Sequence, residues 1–196
     1  MPEDTQLSDS DGVFLVKTAR MAVTKFLSNG KRMKLESERE KKFSFNAGVF
    51  VTLNNADGLR GCIGFPMPDK KLSHGIIDAA IAAATEDPRF SPVKINELND
   101  IVFEVTVLTP PVEITVTDPM EYLEKIKVGR DGLIIRNSFS SGLLLPQVPV
   151  EYGWNVEEFL QHTCEKAGLE KDTWKNEKVK IEKFEGIVYK EETNGS

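Results

Sequence analysis

With 196 residues, 40% of them hydrophobic and 29% charged, the chain has room for one domain with a substantial core or for two small subdomains. Its net charge of -6 works against a general nucleic-acid binder, because neutralising phosphates takes a surplus of lysine and arginine. Two cysteines make no disulfide framework, and the absence of a secretory apolar region or an apolar run of roughly 18 residues reads as a cytoplasmic protein without membrane contact.

Residues 1–10 are acidic and polar and read as a frayed tail. From Asp11 the pattern is helical: Val16, Ala19, Val23 and Phe26 with Leu27 recur on one face, and Asn29-Gly30 supplies a stop. Lys31 to Lys42 mixes basic residues with Glu36, Glu38 and Glu40 and reads as a solvated linker or helix. Val49-Phe50-Val51-Thr52-Leu53 reads as a strand, Asp57-Gly58 as its turn, and Leu59 to Gly64 as the returning strand of a hairpin. After Pro66 and Pro68, the small-residue stretch Leu72 to Glu86 predicts a helix with Leu72, Ile76, Ala80 and Ala83 on one face. Asp87-Pro88 ends it, since the residue before proline is driven out of the helical region. Ile101 to Leu108 alternates as a strand, placing Ile101, Phe103, Val105 and Val107 on one face and Glu104 on the other, at a solvated surface or in a cleft. Thr109-Pro110-Pro111 stops it and marks a subdomain crossing.

A smaller α+β unit follows. Asp118-Pro119-Met120-Glu121 opens a helix to about Lys127, Gly132 to Arg136 and Gly142 to Leu145 form a hairpin, and Pro146 puts the second strand at an edge or at its end. Asn155 and Glu158 form a capping box for a helix through Ala167, with Gly168 as its cap and Trp154 as a core anchor. In the last strand Val179 and Ile181 change parity with Phe184 and Val188, which a bulge at Lys183 to Glu185 would explain. The larger subdomain is then about 1–111 plus 179–196, and the smaller about 112–178.

The chemistry concentrates in Leu59-Arg60-Gly61-Cys62-Ile63-Gly64. Strict alternation puts Leu59, Gly61 and Ile63 on one face and Arg60, Cys62 and Gly64 on the other, with Arg60 and Cys62 about 6–7 Å apart. A cation at that range favours the reactive thiolate. Glycine inside a strand weakens it unless a ligand or another strand needs close access to the backbone. The competing reading is that Cys62 is a small packing residue. No P-loop, dinucleotide fingerprint or serine elbow is present, so no cofactor is read. No metal site is read either, because His74, His162, Cys62 and Cys164 fit no closed zinc spacing.

The hexapeptide resembles the signature of the AMMECR family. Gly48 to Leu53, Glu86-Asp87-Pro88-Arg89-Phe90, Val105 to Pro111, Gly142 to Val148, Gly153-Trp154 and Lys166 to Leu169 match in the same order, so the resemblance covers about 12–190 as one domain. Leu145-Pro146-Gln147-Val148-Pro149 is most similar to the archaeal branch. The resemblance implies a fold rather than an activity: α+β, two unequal subdomains, each an antiparallel sheet with packed helices, and a cleft between them lined by the hexapeptide. It also implies association with a metal-dependent oxygenase-like or a radical S-adenosylmethionine protein.

Two function classes follow. The first is a binding or accessory module taking a protein, peptide or small molecule in a cleft formed by Leu59, Arg60, Gly61, Cys62, Ile63, Gly64, Arg89 and Glu104. The second is an enzyme with Cys62 as nucleophile or redox thiol, Arg60 activating it and Glu104 or Arg89 orienting substrate. The first is preferred, since no base is evident beside Cys62.

Overall fold

The computed structural model describes residues 7–175 and 179–192, and within them it is an α+β fold built on antiparallel strands. Two compact units divide it, Met1–Leu108 with Ile187–Ser196 and Thr109–Gly186. No helix among the described residues is long and apolar enough to cross a membrane.

The first unit opens with α1 (Asp9–Asn29), which begins earlier than the expected frayed tail allows because Ser8 caps it. The Ser8 hydroxyl accepts from the Asp11 amide while the Asp11 carboxylate accepts from the Ser8 amide, satisfying two helix-end donors. Residues 1–6 of that tail lie outside the described residues. After the short α2 (Ser37–Lys42) come β1 (Val49–Asn55), β2 (Gly58–Phe65), α3 (Leu72–Thr85) and β3 (Val102–Leu108). β1 is central, antiparallel to β2 on one side and β3 on the other. One face of this sheet carries Val49, Val51, Leu53, Phe103, Val105 and Val107, all at 0% exposure, in a core shared with Leu15, Ala19, Val23, Leu72, Ile76 and Ala80 of α1 and α3. Each such side chain contributes about 1.5–3 kcal/mol through burial, which fixes the register, since a one-residue slip would turn the whole set outward.

The end of the chain closes this unit. Glu191 accepts from Arg20 through both carboxylate oxygens and from the Phe103 amide at 2.9 Å, while Arg20 also donates to the carbonyls of Leu98 and Ile101.

The second unit contains β4 (Val112–Glu113), α4 (Tyr122–Lys125), β5 (Asp131–Arg136), β6 (Ser141–Leu144), α5 (Gln147–Tyr152), α6 (Val156–Lys166) and the start of β7 (Lys180–Lys190). β5 pairs with β6 and β7, and β4 pairs with β7. The expected helix from Asp118 is a 3-10 turn, Pro119–Glu121, followed by the single turn of α4. The core contains Leu133, Ile135, Phe159, Leu160, Cys164, Trp174 and Ile181. Trp174 is the buried tryptophan, whereas Trp154 is partly exposed and stacked between Tyr152 and His162.

The end of β7, from Ile187, belongs to the first unit, where β7 neighbours β3. Its pairing with β5 runs without a register break from Lys180 to Glu185, and the expected bulge is absent there. The parity change has another cause: Ile181 and Phe184 are buried on opposite faces, with Phe184 lying over Gly132, where an added Cβ would come within 2.3 Å of its ring.

Candidate functional site

β2 is the edge strand of the first unit, and the bulge that the alternating pattern hides lies in it. Thr52 faces Cys62 and Leu53 faces Gly61, but Asn54 faces Leu59, leaving Arg60 as the extra residue. The even alternation of Arg60 with Cys62 therefore fails. Arg60 directs its guanidinium to Glu97, at 3.0 and 3.3 Å, and to the Ser91 carbonyl at 2.9 Å. Leu59 shifts into line with Asn54, and Ile63 stays opposite Val51.

Internal packing gives both glycines a reason to be glycine. A Cβ on Gly61 would stand 2.2 Å from the Ala83 carbonyl oxygen, so α3 can lie this close to β2 only over a glycine. A Cβ on Gly64 would meet the Phe50 ring at 2.3 Å, and Phe50 is its cross-strand partner.

The cation beside Cys62 is Arg89. As an edge residue Cys62 needs partners for its outward amide and carbonyl, and Asp87-Pro88-Arg89 provides both. The Asp87 carboxylate accepts from the Cys62 amide at 2.8 Å, and Arg89 Nη2 donates to the Cys62 carbonyl at 3.3 Å. Arg89 also grips Asp87 through Nε at 2.9 Å and Nη2 at 2.7 Å. Asp87 is only 5% exposed, and the Arg89 guanidinium together with the Cys62 and Arg89 amides holds its carboxyl well below the usual carboxylate range. In return Asp87 raises the Arg89 pKa, with a smaller contribution from Cys62.

The Cys62 side chain lies on the sheet face opposite the α1 and α3 core. Thr52 is the cross-strand partner of both Cys62 and Glu104, so the three form a row across β2, β1 and β3. The Thr52 hydroxyl donates to Cys62 Sγ at 3.3 Å. All three are half-buried, as are Phe50 and Thr106 of the adjoining row. Glu104 makes no hydrogen bond or ion pair among the described residues. Both histidines are engaged elsewhere, His74 with Glu40 and His162 with Glu165.

Thus Thr52 joins Cys62 and Glu104 across the sheet, and Arg89 meets this row only at the Cys62 carbonyl, while Arg60 belongs to a neighbouring cluster with Glu97. Sequence reasoning missed Thr52, Asp87 and Glu97 as members of this region. Thr52 was the readable one, being the polar residue centred in an apolar strand and reached by counting back from the turn. No group of three or more potential metal ligands occurs among the described residues.

Comparison with known proteins gives a consistent family. The chain is 52% identical to protein MJ0810 of Methanocaldococcus jannaschii, over 94% of this chain and 92% of that one. It is 48% identical to protein PYRAB00100 of Pyrococcus abyssi, over 95% and 93%. The crystal structure of the uncharacterized protein PH0010 from Pyrococcus horikoshii superposes with a TM-score of 0.79 at 49% identity, covering 95% of this chain and 94% of that one. The AMMECR1 family model matches residues 16–189, and the chain belongs to that family.

Proposed function

We propose that the chain is a binding or accessory module that takes a protein, peptide or small molecule on the Cys62 face of the first unit's sheet and works in the cytoplasm. The observation that carries this reading is the Cys62-Thr52-Glu104 row, a half-buried thiol, hydroxyl and carboxylate on strands held by a full core. A rigid sheet displays such groups with little ordering left to do on binding. The partnership with an oxygenase-like or a radical S-adenosylmethionine protein belongs to the same proposal.

Disulfide tethering tests it. A Cys164→Ala chain, leaving Cys62 as the sole thiol, is exposed to a library of small disulfides under rising 2-mercaptoethanol. Recognition predicts that a few compounds stay attached where most are reduced off, and that Glu104→Gln or Thr52→Val changes which ones stay. Uniform capture, governed by thiol chemistry alone, would overturn the reading.

A second reading, a nucleophilic or redox thiol, is favoured by the Thr52 hydroxyl donating to Sγ at 3.3 Å. It ranks second because the two histidines, the usual bases for such a thiol, are paired with Glu40 and Glu165.

A further inference from the structure

Beside the edge of β2 lies an open hollow of about 470 Å³ lined by Arg60, Phe90, Ser91, Lys94, Asn96 and Glu97. The tethering reading makes no use of it. Its size falls in the range of small-ligand sites, and its lining has one aromatic wall among polar groups. Two cations face one carboxylate, and that carboxylate is already engaged: both Glu97 oxygens accept from Arg60, and Oε1 also accepts from the Lys94 amide at 2.7 Å. The Arg60 side chain is 12% exposed, so its guanidinium is a fixed group rather than a mobile surface charge.

The donor inventory sets the ligand class. A guanidinium carries five N–H donors, and Arg60 uses three, two on Glu97 and one on the Ser91 carbonyl. Two N–H groups therefore remain at the wall of the hollow. The Lys94 ammonium, exposed at its rim, makes no hydrogen bond or ion pair among the described residues and brings three more donors. The Nε and Nη2 edge of Arg60, where a second carboxylate would dock bidentately, is occupied by Glu97. What remains is one free N–H on each Nη of Arg60 together with the Lys94 ammonium, two cations offering more donors than the two oxygens of a carboxylate can satisfy, which suits a phosphoryl group with three acceptor oxygens.

We propose that this hollow is a phosphoryl-binding subsite, in which Arg60 and Lys94 hold the phosphoryl oxygens and Phe90 flanks the small organic body of a phosphomonoester. Free phosphate and a phosphate ester share this chemistry, and the aromatic wall favours the ester.

The test is titration of the full chain with inorganic phosphate, glycerol phosphate and phenyl phosphate, read by calorimetry and by amide shifts of residues 89–97. Saturable binding is expected, phenyl phosphate tightest, with shifts confined to the hollow. Lys94→Ala should weaken it roughly tenfold or more, the loss expected for one charge-assisted contact. Lys34→Ala, at an exposed position elsewhere, should leave it unchanged. Arg60→Lys keeps the charge but loses the fixed fork, and should weaken binding while far-ultraviolet dichroism confirms the fold. Non-saturable binding, or equal binding by Lys94→Ala and the parent chain, overturns the proposal. Because the readout involves no thiol, its failure is separable from failure of the Cys62 reading.

Discussion

The chain's two cysteines set up a comparison between one environment in each unit. Cys62 stands on an edge strand with a hydroxyl donating to its sulfur, a carboxylate on its amide and a guanidinium on its carbonyl. Cys164 is fully buried on α6 among Phe159, Leu160 and Trp174, and burial pushes its thiol up to about 11. The same side chain is thus a displayed polar group in one place and a small hydrophobe in the other. The difference comes from which face of its element the residue occupies.

The sharpest way to break the comparison is alkylation. In the folded chain, iodoacetamide should modify Cys62 roughly a thousandfold faster than Cys164, which reacts only after its core opens. Peptide mapping of the two sites over time measures the ratio, and comparable rates would mean that both thiols are packing residues.

Next in size is Gly61→Val. Because its Cβ would run into the Ala83 carbonyl, it should lower stability by about 3 kcal/mol, seen as a fall in Tm. Of the two reasons the sequence leaves open for this glycine, ligand access and close packing, the loss would follow from the second. Preserved stability with lost ligand capture at Cys62 would point to the first.

The smallest effect concerns the support beneath Cys62. Asp87→Asn should cost about 1–3 kcal/mol, held down by the half-exposed Arg89 partner. The pH sign follows from the depressed Asp87 pKa. This contribution is complete above the unfolded value of about 3.9 and is lost as pH falls from there toward the folded value. Denaturant unfolding at pH 6 and pH 3 should therefore separate the parent from Asp87→Asn more widely at pH 6. An equal gap at both would show that the carboxylate charge does not matter.

Much of the fold was written locally. Asn155 and Gly30 act where capping chemistry places them, and the alternation of Ile101 to Leu108 gives β3 and its buried face directly, whereas Ser8 caps α1 inside the stretch that reads as a frayed tail. The hidden features depend on pairing. α5 is a short helix with Pro149 inside it, so no apolar period announces it. The bulge at Arg60 exists only relative to β1, and nothing in the order Leu59-Arg60-Gly61 indicates it. Asp87 reads as a helix stop until β2 is known to be an edge strand, and only then does its carboxylate become the partner of the Cys62 amide. For the site, residue types were therefore legible while neighbours were not.

The Arg20–Glu191 latch has a consequence for the order of events during synthesis. The segments that form α1 to α3 and β1 to β3 all lie within residues 9–108, yet the strand that borders β3 and the carboxylate that holds Arg20 come from 187–191. At roughly 5–20 residues per second, that half-built sheet waits on the order of ten seconds with the side of β3 unpaired. The nascent first unit is thus a customer for chaperones until the last strand arrives, and truncation just before Ile187 should leave it aggregation-prone rather than merely shorter.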